Sequence, residues 1–244
     1  MNRGSTRLVL KVGLASALAA TLASWGAFLP ASATAANPAG PTVVELFESQ
    51  GCSSCPPANA NVNAIADRPD ILALNFAVTY WDQLGWKDTF AQPAFTARQW
   101  DYAHAAGRGQ VATPQVIIDG HDTVVGNDAQ QLAAAIRASH RAASAPAIAR
   151  SAGGVTVAAG GVATPATVWL VRYDPRTHLV PIRAGENGGR TLPHRNVVRS
   201  LVAIGTWTGR AQSYRIAQPA PADLREAILV QAGKGGRILA AQRL

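Results

Sequence analysis

The chain has only two cysteines, Cys52 and Cys55, three positions apart in a turn that follows a run at 42–47 apolar everywhere but at Glu45. Two thiols at this spacing, between a strand and a helix, are the sequence form of a redox dithiol. The pattern constrains the fold, because a buried strand must stop and a helix must start within a few residues. A second stretch, VATPQVIIDG at 111–120, places Thr113-Pro114 at the opening of a β-branched strand. A cis peptide at Pro114 would turn the Thr113 backbone toward the cysteines and leave its N–H and C=O for an extended substrate. A trans proline at the start of an edge strand is the alternative.

Periodicity and turn residues set the remaining elements. Residues 42–47 and 71–78 are expected as buried strands joined by a helix over 56–66, a β-α-β unit with parallel pairing. A helix follows over 95–106, then a hairpin of 115–118 with 123–125 around Asp119-Gly120, then a helix capped at Asn127-Asp128 and running to about 143. Beyond 145 the texture changes to short strands between Gly- and Pro-rich turns, at 155–158, 166–173, 178–182, 197–204, 211–216, 227–231 and 237–241. The expected fold class is α/β: a thioredoxin-like domain over 41–144, then a small β-rich, sandwich-like domain over 147–244. A β-rich extension sharing one core with the first part is the other arrangement the pattern allows.

Disulfide exchange needs a thiol of lowered pKa and a second thiol that resolves the mixed disulfide. Cys52, at the strand exit, is assigned as nucleophile and Cys55 as resolving thiol, with the helix N-terminus favouring the thiolate. Pro56 and Pro57 leave a variant open, since a helix beginning at Pro56 makes Cys55 its N-cap and lets the thiols exchange rank. A structural Cys52–Cys55 disulfide is the plainer reading. Trp81, Asp82 and Trp86 are expected either at a substrate-binding rim near the dithiol or as an aromatic plug on the sheet. Asp82 and Glu45 are candidates to take a proton from Cys55. The polar segment 185–199 is either an ordinary turn or a surface that docks on the dithiol face. His194 lacks the short spacings of metal ligands, and neither a metal nor a cofactor is expected.

Three segments, LFESQGCSSCPPA at 46–58, YWDQLGWKD at 80–88 and GENGGRTLPHRNVVR at 185–199, together resemble a family of exported bacterial thioredoxin-like proteins of uncharacterised function. The resemblance implies a thioredoxin-like fold, a disulfide redox role through Cys52, Cys55, Thr113 and Pro114, and export. It differs from ordinary thioredoxins in having Gly51 before Cys52 and no proline or histidine between the cysteines.

Composition narrows the function classes. The formal charge is +8, but Arg3, Arg7 and Lys11 lie in a basic start followed by an uncharged alanine-rich run and the small residues Ala31-Ser32-Ala33-Thr34-Ala35. That is a cleavable signal peptide over 1–35, with an uncleaved anchor as the alternative. The remaining arginines are scattered, which argues against a nucleic-acid partner, and no later segment is expected to span a membrane. The mature protein is therefore expected to be periplasmic or extracellular, where disulfides form. The reading is an exported thiol–disulfide oxidoreductase acting on protein or small thiol and disulfide substrates, of open oligomeric state. A non-enzymatic envelope binding module with a static Cys52–Cys55 bridge is the rival. A copper(I) chaperone is a weaker one, as Met1 is the only methionine.

Overall fold

In the computed structural model the described residues are 1–2, 4, 40–139 and 145–244. Nearly all of the expected leader, most of the tether after it, the last turn expected of the third helix and the first linker residue, Ser144, lie outside them. Two units divide the chain, 1–35 and 36–244, and the elements belong to the second.

Strand β1 (Thr42–Glu48) is buried at every position after its first, as befits a run apolar on both faces of a sheet. Alternation sends Val43 and Phe47 to one face and Val44 and Leu46 to the other. Helix α1 (Pro56–Ala64) starts at a proline, whose missing N–H costs nothing in a first turn. Strand β2 (Ile71–Ala77) runs parallel to β1 along its whole length. Helix α2 (Pro93–Ala105) lays Phe95 and Tyr102 on the Val43 face. Strands β3 (Gln115–Ile118) and β4 (Asp122–Val124) follow antiparallel beyond β1. Helix α3 (Ala129–Ala138) joins α1 on the Val44 face through Leu132 and Ile136, and Asp128 caps it by accepting from the N–H groups of Gln130 and Gln131.

The second half of the chain gives β5 (Ile148–Ser151), β6 (Gly154–Val157), β7 (Ala166–Asp174), β8 (His178–Pro181), β9 (Thr191–His194), β10 (Val197–Trp207), β11 (Gln212–Arg215), β12 (Arg225–Ala232) and β13 (Ile238–Arg243). Here the expected fold class is corrected. The protein is mostly β, and an α/β thioredoxin-like domain followed by a separate sandwich does not form. A single eight-stranded mixed sheet, ordered β13-β12-β7-β10-β2-β1-β3-β4, takes strands from both halves. The physical reason lies in β2. It is buried at all seven positions, so both its edges need hydrogen-bonding partners. β1 fills one edge and β10 the other, in parallel, with Val197 opposite Asn75. The Asn75 N–H donates to the Asn196 carbonyl (3.0 Å), and the Asn196 amide donates to the Ala73 carbonyl (2.8 Å).

The Val43 face continues across the joint, from Leu72, Leu74 and Phe76 to Val171, Val198 and Leu229. On the opposite face, the three-stranded sheet β11-β6-β5 covers Val168, Leu170 and Ile228 with Val155 and Val157. β8 and β9 form a separate hairpin. β5 and β9 are additional to the strands expected from sequence, being four residues long and half exposed.

A buried polar cluster centred on Glu45 lies within the Val43 face. Glu45 is fully buried and receives the Arg98 guanidinium at 2.7 and 3.2 Å. The same Arg98 donates to Gln231 at 3.1 Å, and the Tyr102 hydroxyl donates to Glu45. Glu45 thus ties β1 to α2 and, through Gln231, to β12. Removing one charge of a buried pair strands the other, which typically costs about 3–5 kcal/mol. Arg98→Met is therefore expected to lower the unfolding free energy, read from chemical denaturation, by that order, and the double variant Glu45→Met with Arg98→Met to recover part of the loss. A double variant as unstable as Arg98→Met alone would show that the pair carries no such coupling.

Candidate active site

The dithiol turn begins where β1 ends. The Cys52 N–H donates to the Ser49 carbonyl (3.1 Å) and the Cys55 N–H to the Cys52 carbonyl (3.2 Å). Cys55 is the N-cap of α1, with Pro56 after it. Both cysteines are free thiols, 0% and 1% exposed.

The Thr113-Pro114 bond is cis. The Thr113 carbonyl lies 3.8 Å from Cys52 Sγ, and the Ser54 hydroxyl 3.3 Å from it. Hydrogen bonding from Cys55, the largest cause, and from the side chains of Ser54 and Thr113 holds the Cys52 thiol down at about 6, with burial opposing it. Cys55 goes the opposite way. Burial first, then the hydrogen bond to Cys52 and the Glu48 carboxylate, push its thiol far above the ordinary range. The helix begins at Pro56 with Cys55 as its cap, and the two thiols are shifted in opposite directions, Cys52 downward and Cys55 upward.

Trp81 and Trp86 both reach the site. Trp81 Nε1 donates to the Thr113 hydroxyl at 2.7 Å, and Trp86 Nε1 to Gln50 Oε1 at 3.0 Å. Asp82 serves its own turn, accepting from the Asp88 N–H at 3.1 Å. Glu45 points to the α2 face, away from Cys55.

The carboxylate behind Cys55 is Glu48. Strand alternation places it with Val44 and Leu46 on the α1 face, a signal present in the sequence but overlooked there. A cavity of about 20 Å³, large enough for one water, is lined by Glu48, Cys55, Asn59 and Pro193. Glu48 is itself buried, 3.3 Å from His194 Nδ1, which the Asn59 amide contacts at 2.9 Å. Burial opposes charge on His194, but the Glu48 and Asp88 carboxylates overcome it and hold its pKa above the ordinary value. Asp88 is pushed up to about 6 by burial and by Glu48. His194 comes from β9, in the polar segment singled out from sequence, but nothing local pairs it with Glu48 and Asn59, more than a hundred residues away. Among the described residues no cluster of His, Cys, Asp or Glu is suited to a metal ion.

The polar segment after β8 docks on the dithiol. Asn187, wholly buried, donates to the carbonyls of Gln50 (3.0 Å) and Cys52 (2.9 Å). Arg190 fixes that side chain from behind at 2.7 Å, and Glu186 accepts from the Ser53 N–H at 3.1 Å. Gly185, at φ +72°, lies so near Trp86 that a Cβ would come within 3.3 Å of the tryptophan's own Cβ.

A family model described as "Protein of unknown function (DUF1223)" matches residues 43–231. Among curated proteins none matches. The crystal structure of protein AGR_C_4864 from Agrobacterium tumefaciens is similar at 28% identity and a TM-score of 0.67, over 83% of this chain and 93% of that one. HBP35 of Porphyromonas gingivalis is similar in fold alone, at 10% identity and a TM-score of 0.53, over 84% and 74%.

The asymmetry of the thiols is measurable by thiolate absorbance near 240 nm. One equivalent of thiolate is expected to appear with a midpoint near 6, with no second step below about pH 9. Cys52→Ala should abolish the step. A midpoint in the ordinary thiol range, or a step that survives Cys52→Ala, would refute the assignment.

Proposed function

The chain belongs to the DUF1223 family, and from the geometry of its dithiol we propose that it is a thiol–disulfide oxidoreductase. The carrying observation is the polarised pair: a Cys52 thiol held down at about 6, next to the Thr113 carbonyl before a cis proline, beside a Cys55 thiol pushed up. This arrangement resembles the active sites of the thioredoxin superfamily. The likeness supports the chemistry of the site and leaves the architecture as described.

In the reductive direction the Cys52 thiolate attacks one sulfur of a substrate disulfide. The S–S bond breaks, the other sulfur leaves as a thiolate and takes up a proton, and a mixed disulfide remains on Cys52. Cys55 then gives its proton toward Glu48 and attacks Cys52 Sγ. The substrate's second sulfur leaves, and the pair ends as a Cys52–Cys55 disulfide. Two electrons pass to the substrate; the oxidative direction is the same sequence reversed. Trp81 and Trp86 form the rim against which a protein or small disulfide would lie. The proposal includes export: an oxidising envelope, reached by way of the leader at 1–35, is where such a pair meets disulfides. Among the described residues no helix is long and apolar enough to cross a membrane.

The near-zero exposure of both cysteines favours a second reading, an envelope binding module in which the pair is a static bridge. Equilibration with glutathione, then with a stronger dithiol, separates the two. Turnover is expected with a potential at or above about −270 mV, in the range of dithiol catalysts. Cys55→Ser should then accumulate a mixed disulfide with glutathione and Cys52→Ser should not. A pair that stays oxidised below about −300 mV and traps nothing would leave the binding module standing.

A further inference from the structure

The end of the sheet opposite the dithiol carries a cleft of about 450 Å³ whose lining includes Arg68, Arg176, Arg195, Arg225 and Arg243, with Asp67 the one acid among the lining residues. These arginines come from distant parts of the chain. Arg68 and Asp67 precede β2, Arg176 follows β7, Arg195 precedes β10, Arg225 opens β12 and Arg243 closes β13. β1 and β2 are parallel and in register from Thr42 opposite Ile71 to Glu48 opposite Ala77. The cleft lies where they begin and the dithiol where β1 stops, about 20 Å away at the usual rise of a strand.

Some of this charge is neutralised locally. Arg68 pairs with Asp70 at 2.6 Å, and Arg176 with Asp174 at 2.6 Å and Asp223 at 3.0 Å. Arg195 grips Asp67 with both terminal nitrogens at 2.7 and 2.8 Å, yet its buried Nε has no acceptor among the described residues. Among the described residues Arg243 hydrogen-bonds only to backbone carbonyls, those of Pro69 at 2.9 Å, Arg68 at 3.2 Å and Ile71. Arg225 forms no ion pair among the described residues, although its charge reaches Asp67. Among the described residues Arg225 and Arg243 thus touch no carboxylate directly, although Asp70 feels the charge of Arg243, and they lie beside an orphaned donor on Arg195. Two of the three groups are already anchored, so little side-chain freedom remains to be lost on binding. Guanidinium groups that line one cleft from several elements suit an oxyanion, whose oxygens accept from the N–H groups not already engaged.

We propose that this cleft is a binding site for a phosphate group, either free or carried on a larger molecule such as a lipid headgroup, with Arg195, Arg225 and Arg243 as its donors. The site is separate from the dithiol, and its test is independent of any redox activity. Calorimetric titration of the full chain with pyrophosphate and with inorganic phosphate, at fixed ionic strength, reads the free form. Co-sedimentation with vesicles of phosphatidylglycerol in phosphatidylcholine reads the headgroup form. Arg225 is exposed and unpaired, so Arg225→Gln should leave the melting temperature unchanged while weakening binding at least about tenfold, the loss expected for one charge-assisted contact. Arg225→Lys should recover part of it. Saturable binding of pyrophosphate or phosphate that is lost in Arg225→Gln supports a free oxyanion, and vesicle binding alone with the same loss supports a carried one. No saturable binding in either format, or binding that Arg225→Gln leaves intact, would overturn the proposal.

Discussion

A buried carboxamide must satisfy its polar groups within the protein or cost the fold on the order of 1–3 kcal/mol. Asn187 does so by holding the carbonyls of Gln50 and Cys52, and the geometry of the dithiol depends on that grip. The turn from Ser49 to Cys55 has few hydrogen bonds of its own, two of them from the backbone N–H groups of Cys52 and Cys55. With Asn187 on one side, Trp86 on Gln50 and Trp81 on Thr113, the turn is clamped from three directions. Arg190 prevents the Asn187 side chain from rotating away.

That clamp explains how two thiols so close together come to differ. Cys52 faces hydrogen-bonding groups that favour its anion: the Cys55 thiol, the Ser54 hydroxyl and Thr113. Cys55 faces the interior, where burial and the Glu48 carboxylate both disfavour a second negative charge. The same carboxylate that keeps Cys55 protonated at rest is the nearest base once Cys55 must attack. His194 and Asn59 hold Glu48 in place from β9 and α1. The resting state and the resolving step therefore draw on one buried polar cluster.

Much of the first half was legible in the sequence, because its signals are local. The strand before the cysteines, the helix opening at Pro56, the hairpin at Asp119-Gly120 and the cap at Asp128 all announce themselves within a few residues. Cys52, Cys55, Thr113 and Pro114 come together as expected, and so do Trp81 and Trp86. The joint between the halves was not legible, since an alternating strand such as 166–173 has the same pattern whether it pairs within its own sandwich or extends another sheet. The one available clue was β2. A run apolar on both faces with Asn75 in its middle demands a partner on each edge, and the first half of the chain offers it one fewer strand than that. Glu48 could have been found from alternation alone. The segment 185–199, with Asn187 and His194, stood out as a possible docking surface, but their partners did not, because Asn59 and Gln50 lie more than a hundred residues away.

The joint also settles what the second half does for the first. Had β7, β10, β12 and β13 formed their own sandwich, the edge of β2 would lie open, and Asn75 would lose the partner of its N–H. β9 would no longer place His194 against Glu48, nor the loop after β8 place Asn187 on the dithiol turn. At the other end of the same strands, Arg195, Arg225 and Arg243 would have no shared cleft with Arg68. Both ends of the β1–β2 pair are thus completed by residues from beyond 145. The second half is a structural part of each site, and the thiol chemistry of Cys52 cannot be separated from it without undoing the cluster that sets it.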